Sequence, residues 1–365
     1  MNWFIEARTY DASTLLMTWL ALLVFGLVMV ASASVALEGA HLTRHLVFLS
    51  LAGVAFAIVY ALPLAFWDRL YLVAWFAALV LAVLVLLVGH EVKGATRWIN
   101  LGGFSLQPSE AAKFCLMVYL AGYLRRYHER LQVEPHLILI PLSMVISVAA
   151  LLIAQPDLGS AVVIVCATVA LLFMAGARLL YFLSFLLVGC AALGGLIWFE
   201  PYRLERLITF LDPWSKAYDS GYQLTQALIA FGRGEWFGLG LGEGIQKHLY
   251  LPEAHNDFIF AVIAEELGIV GTLIIAAAFV FLVVKLFSIA RRQLSNGALF
   301  AGFGCYFTGL IIGFQFLVNL GVNTGVLPTK GLTLPFVSFG GNSLIISCAM
   351  FGFVMRAVME EARDG

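Results

Sequence analysis

Apolar residues along the chain come in long runs broken by short polar segments, and that alternation predicts the elements. The runs lie at about 14–34, 45–63, 69–89, 109–124, 137–155, 159–176, 178–199, 257–285, 297–320 and 342–358. Each approaches the ~20 apolar residues that an α-helix needs to cross ~30 Å of hydrocarbon. Ten transmembrane helices are therefore expected in one domain over 1–365, with both ends on the same side. The fourth run is the weakest, because Glu110 and Lys113 fall in its first turn. Ala31-Ser32-Ala33 resembles a signal-peptidase site, but the leader carries Glu6 and Asp11 against Arg8, and the run outlasts a usual signal core. It is read as the first span.

Two polar segments are too long to be simple turns. Residues 200–256 contain no run able to span, yet Leu224, Ala227, Leu228 and Phe231 recur at helical spacing after the Asp212-Pro213-Trp214 turn signal. That pattern predicts an amphipathic helix lying at the interface or on the bundle. GRGEWFGLGLGEG at 232–244 is not a nucleotide loop, since no strand precedes it and no Gly-Lys-Ser/Thr ends it. Its glycines suit close packing. The second segment, 321–341, is rich in Gly and Pro. Non-helical backbone beside a bilayer is tolerated only where it is buried in protein or lines a wet cavity, so this loop is expected to fold back over the bundle.

Composition adds the class. With 62% hydrophobic and 12% charged residues and a mean hydropathy of +0.96, the chain has far more apolar surface than a soluble core could hide. It reads as an all-α polytopic integral membrane protein. The net charge of −1 and scattered basic residues give no sign of a nucleic-acid partner. Cys115, Cys166, Cys190, Cys305 and Cys348 all fall inside apolar runs at no metal-ligand spacing and read as packing residues.

Charge also sets the orientation. With residues 1–13 and 359–365 cytoplasmic, the inside segments hold Arg8, Arg69, Arg125, Arg126, Arg130, Arg178, Lys285, Arg291, Arg292, Arg356 and Arg363, whereas the short outside loops hold Arg44, Lys93, Arg97 and Lys330. Short loops rich in Lys and Arg stay inside. Both long segments then face the extracytoplasmic side.

The residues with chemistry gather on that outer side. LPEAHNDFIF at 251–260 sets Glu253, His255 and Asp257 at the mouth of the eighth span, where a helix starting near Asp257 would carry it on the first turn. A carboxylate so placed can be tuned toward base chemistry, but Asn256 or Asp257 could equally cap the helix. Pro108-Ser109-Glu110 opens the fourth span with a serine cap, and Glu110 and Lys113 share a face. They form either a plain salt bridge or a functional pair, since a membrane lysine must face the protein interior or snorkel. Asp157 in the turn at 155–160 is a cap or a site acid. Gly340-Gly341-Asn342-Ser343, near Lys330, leads into the tenth span at a place able to receive an anion, or makes an ordinary tight turn. Acids Asp257, Glu253 and Asp157 beside cations Arg97, Lys113 and Lys330 suit transfer chemistry on an anionic, membrane-borne substrate. A proton-coupled transporter using Glu265 and Glu266 fits the same inventory.

Several long motifs now bear on the choice. GATRWINLGGFSLQPSEAAK, AQPDLGSA, GYQLTQALIAFGRGEWFGLGLG, LPEAHNDFIFAVIAEELG and LPTKGLTLPFVSFGGNSL, in this order, resemble the shape, elongation, division and sporulation proteins, the bacterial FtsW and RodA group. The likeness covers nearly the whole chain. Phe231-Gly232-Arg233-Gly234 and Thr329-Lys330-Gly331 look more like the cell-division branch, FtsW, than the elongation branch, RodA. Asn256, Phe339 and Asn342 stand where Thr, Tyr and Ser are usual. The resemblance implies a peptidoglycan glycosyltransferase that polymerises lipid II at the septum of the bacterial inner membrane. It also implies a class B penicillin-binding protein and other division membrane proteins as partners. It matches Asp257 to the family's essential carboxylate, and Glu110, Lys113 and Asp157 to polar positions lining a central cavity. Arg97, Glu253, His255, Lys330 and Ser338 join them as substrate-binding candidates. It leaves room for a divalent cation, Mg²⁺ or Mn²⁺, and implies no organic cofactor. A lipid II flippase, from another functional class, and a division scaffold remain the alternatives.

Overall fold

The computed structural model describes residues 2–35, 40–92, 95–100, 102, 105–198, 201–329 and 331–364. Lys330 lies outside them. The described helices are, in chain order, α1 (Asn2–Ala33), α2 (Ala40–Ala61), α3 (Leu64–Arg69), α4 (Tyr71–Val88), α5 (Pro108–Val133), α6 (Leu139–Ala154) and α7 (Leu158–Met174). They continue with α8 (Leu179–Trp198), α9 (Pro201–Leu211), α10 (Tyr222–Gly234), α11 (Ile259–Ser295), α12 (Leu299–Asn323) and α13 (Gly341–Asp364). Seven stretches, in α1, α2, α4, α6, α11, α12 and α13, are long and apolar enough to cross a membrane. Helices α7 and α8 are shorter apolar helices, and α5, at 26 residues, is long enough but carries Glu110, Lys113, Arg125, Arg126 and Arg130. The ten apolar runs fall on these three helices and the seven.

The segment between α4 and α5 departs from an all-α fold. Strands β1 (His90–Val92), β2 (Ala95–Asn100) and β3 (Ser105–Leu106) form a three-stranded antiparallel sheet in that order. Val92, Thr96, Trp98 and Ile99 favour extended backbone, and strand pairing satisfies amides that a bare loop would leave to water. Helix α9 was likewise not expected. The amphipathic helix was, and α10 turns Leu224, Thr225, Ala227 and Ala230 inward and packs on α11.

Helix α11 is broken in one place. Gly268 takes φ 67°, in the left-handed region that glycine alone enters without strain, and a Cβ there would collide with the amide of Gly238. The break separates a short outer half-helix, 259–267, from the long apolar remainder. The glycine-rich segment docks on the break: Leu239 and Gly240 donate to the carbonyls of Glu265 and Glu266, and Ile269 and Val270 donate to those of Glu235 and Trp236. Four carbonyls and amides freed by the kink are thereby satisfied.

Within the bundle α2 runs along α13, α11 along α12, and α4 along α5. Gly309 and Gly313 on α12 are used inside it, for a Cβ on Gly309 would stand 2.7 Å from Phe287 and one on Gly313 3.6 Å from Val283, both on α11. They do not offer a groove to an outside helix. At the ends assigned to the cytoplasm, Asp68 on α3 takes Arg125 and Arg126 of α5, Arg292 meets Glu361 at 2.9 Å, and Arg356 meets Glu360 at 2.7 Å. The opposite ends carry the candidate site.

Candidate active site

Residues 251–258 form a run of turns before α11, with Glu253 at φ 58°. The helix begins at Ile259, two residues later than expected, and Phe258 occupies the N-cap without a polar side chain to close it. Asp257 therefore precedes the first turn rather than riding on it. The third helical amide, of Ala261, donates instead to Asn323 Oδ1 on α12 at 3.1 Å. Capping comes from a neighbouring helix, so the cap and base readings of Asp257 need not compete.

Three successive carbonyls of this turn are held from other elements. His255 O accepts from the Phe339 amide at 2.9 Å, and Asn256 O from Ser338 Oγ at 2.7 Å. Asp257 O accepts from both Asn319 Nδ2 and Asn323 Nδ2, each at 3.0 Å. Ser338, expected to touch substrate, is buried and also accepts the Leu334 amide at 2.8 Å, so its hydroxyl is committed to the backbone. Over the carboxylate lies Gly331, where an added Cβ would stand 3.0 Å from Asp257 Oδ2. The loop does fold back over the bundle: Phe336 and Val337 are buried, and Gly26 of α1 packs against their backbone.

The His255 ring lies tilted 4.7 Å from that of His41 of α2 and meets Phe339 edge-on at 5.4 Å, which makes one wall aromatic. A cavity of about 250 Å³ opens beside it, lined by Glu253, His255, Leu251, Pro252, Lys247 and Ala33 among others. The expected neighbours Glu253, His255 and Asp257 thus sit on one tethered turn, of which Glu253 and His255 line the cavity.

The remaining candidates share the outer end of the bundle. Asp157 is the N-cap of α7 and accepts the Ser160 amide at 3.4 Å, while its Oδ2 is buried and finds no partner among the described residues. Arg97 on β2 donates to the carbonyl of Pro156, which brings the sheet onto the Asp157 turn. Gly159 packs on Leu332, the neighbour of Gly331, and so links this turn to the loop over Asp257. Lys113 bonds Glu110 at 2.7 Å, with side chains only 1% and 6% exposed. Helix α5 starts with Gln107 at the N-cap, not with the expected serine cap, and Ser109 Oγ is buried with no partner among the described residues. Asn342 donates to Ser105 O at 2.7 Å, tying the start of α13 to β3.

The two acids that suited a transporter have structural partners. Glu266 accepts from Lys247 Nζ at 2.7 Å and from Ser32 Oγ at 2.7 and 2.8 Å, with Lys247 and Glu266 side chains fully buried. Glu265 takes Arg233 at 3.1 Å and the amides of Ile245 and Gln246. Both clasp the segment that leads to Asp257 onto the half-helix. Asn319 and Asn323 went unnoticed in the sequence. The signal was there, two amides four apart in an otherwise apolar run, and such polar residues in a span usually face a partner inside the bundle.

A family model described as "Cell cycle protein", that of FtsW, RodA and SpoVE, matches residues 12–363. The chain belongs to the FtsW/RodA/SpoVE family. Relatives in that family include a probable peptidoglycan glycosyltransferase FtsW of Pseudomonas fluorescens, 45% identical over 93% of this chain and 86% of that one. The protein of the same description from Coxiella burnetii is 44% identical over 96% of this chain and 97% of its own. Among solved structures, one described as structural coordination of polymerization and crosslinking by a peptidoglycan synthase complex matches with a TM-score of 0.79. It is 29% identical and covers 95% of this chain and 97% of that one. The crystal structure of the rod shape determining protein RodA of Thermus thermophilus matches at 0.69, with 29% identity over 95% of this chain and 96% of that one. The family's polytopic helical fold is the one seen here.

Proposed function

We propose that this chain is the peptidoglycan glycosyltransferase of cell division, polymerising lipid II into septal glycan strands with Asp257 as general base. The acceptor sugar hydroxyl gives its proton to the Asp257 carboxylate as its oxygen attacks the donor's anomeric carbon. The bond from that carbon to the undecaprenyl pyrophosphate oxygen breaks, and the leaving group keeps the electron pair. The carrying observation is the tethered turn: an acid just outside a helix, under the Gly331 backbone, with its carbonyl held twice, on the same turn as the cavity-lining Glu253 and His255. Glu253 and His255 border the acceptor side in this reading. Glu110, Lys113, Asp157 and Arg97 build the outer wall.

Among the described residues no three His, Cys, Asp or Glu side chains converge as a metal site. A divalent cation, Mg²⁺ or Mn²⁺, would steady the negative charge of the leaving pyrophosphate if one is bound. The flippase and transporter alternatives gain no observation, since Glu265 and Glu266 are occupied in ion pairs. The partner proposed is a class B penicillin-binding protein in the bacterial inner membrane at the septum, with other division proteins around it. The crosslinking complex among the similar structures supports it.

Asp257→Asn tests the reading. A general base contributes ~10²–10⁴ in rate, or about 3–5 kcal/mol of barrier, so purified Asp257→Asn with its partner should leave lipid II almost unpolymerised. Melting and partner binding should match wild type, because capping comes from Asn323. Glycan chains made at the normal rate would end the assignment.

A further inference from the structure

Asn319 and Asn323 stand one turn apart on α12, buried in an apolar helix. A buried amide is costly unless paired, so where these two find their partners is informative. Both donate to the same atom, the main-chain oxygen of Asp257. Asn319 Nδ2 also donates to Leu332 O at 2.8 Å, one residue from Gly331 over the carboxylate. Asn323 spans the other side: its Nδ2 reaches Asn319 O at 2.8 Å and its Oδ1 takes the Ala261 amide. The pair thus joins the Asp257 turn, the covering loop and the first turn of α11 to one rigid helix.

We infer that Asn319 and Asn323 are positioning residues that set the direction of the Asp257 carboxylate and its spacing from the covering loop. Asp257 lies outside α11, and the direction of its carbonyl restrains its ψ angle and so the position of Cβ, from which the side chain starts. A catalytic group must be held within ~0.5 Å of productive geometry, and a displacement of about 1 Å can cost ~10²-fold in rate. The neighbouring carbonyls of His255 and Asn256 are held as well, but by one donor each. The inference rests on the reading of Asp257 as base, and its test separates the two.

Asn319→Leu and Asn323→Leu are near-isosteric, and either one leaves the Asp257 carbonyl paired with the remaining amide. With the full chain and its partner in nanodiscs, each should lower kcat by about 10-fold or more while KM for lipid II stays within about 2-fold. A second readout needs no catalysis. In an Asp257→Cys/Gly331→Cys background, oxidation should join the two positions, and adding either leucine should slow that joining several-fold. Asn319→Ser and Asn323→Ser repeat both measurements should a leucine variant fold poorly. Wild-type kcat together with unchanged trapping overturns the inference, as does a kcat loss that follows lowered melting alone. If trapping slows yet Asp257→Asn still polymerises, the base assignment falls and the positioning stands. If Asp257→Asn is inactive while the asparagine variants behave as wild type in both readouts, the positioning falls alone.

Discussion

Replacing Lys113 by Met removes one half of an ion pair that is sealed from water at both ends, 1% and 6% exposed. Breaking such a pair costs about 3–5 kcal/mol, chiefly because the surviving charge stays buried. Which charge survives matters. Glu110 is the third residue of α5, where the helix dipole favours an anion by ~0.3–1 kcal/mol and up to ~2 kcal/mol when partly buried. Lys113→Met leaves the carboxylate in that favourable place, so its loss should lie near the lower figure of about 3 kcal/mol. Glu110→Leu leaves an ammonium near the positive end of the helix, and its loss should be larger by about 1 kcal/mol. Glu110→Leu/Lys113→Met removes both charges and should melt within about 1 kcal/mol of wild type. Thermal unfolding in detergent, with polymerisation measured per folded molecule, reads both axes. The wall role expects the double variant to recover melting and most activity. A double variant that melts normally yet does not polymerise would refute that role and place the pair in contact with substrate. Single variants that melt like wild type would refute the buried pair itself.

Gly331→Ala places a Cβ 3.0 Å from Asp257 Oδ2, so polymerisation should fall sharply while the melting temperature hardly moves; normal turnover would show that the covering loop gives way. Lys247→Met should destabilise by about 3–5 kcal/mol, since it strands the buried Glu266 and loosens the segment leading to Asp257. A Lys247→Met protein with wild-type melting would contradict that clasp. Reporter fusions after Leu224 should read extracytoplasmic and those after Arg130 and Arg292 cytoplasmic; an inside signal at Leu224 would invert the site's location.

What could be read in the sequence are the properties that hydrocarbon imposes locally. A span must carry about 20 apolar residues whatever it packs against, which is why each of the ten runs falls on a helix, although α1, α5 and α11 extend about ten residues beyond the run at one end. Motif order likewise pointed to the family, and Glu253, His255 and Asp257, being four residues apart at most, could hardly fail to lie together. The strands at 90–106 were hidden because pairing needs a partner strand, and period-2 alternation is weak over so few residues. Ser338 resembled a substrate contact until the fold brought Asn256 within 2.7 Å of its hydroxyl. Glu265 and Glu266 looked like membrane acids awaiting a proton until Arg233 and Lys247 arrived from the glycine-rich segment. The partners of a buried polar group are chosen by residues far away in the chain. Only the tertiary structure could decide that Asn323, 66 residues on from Asp257, caps α11 and shares with Asn319 the holding of that carbonyl.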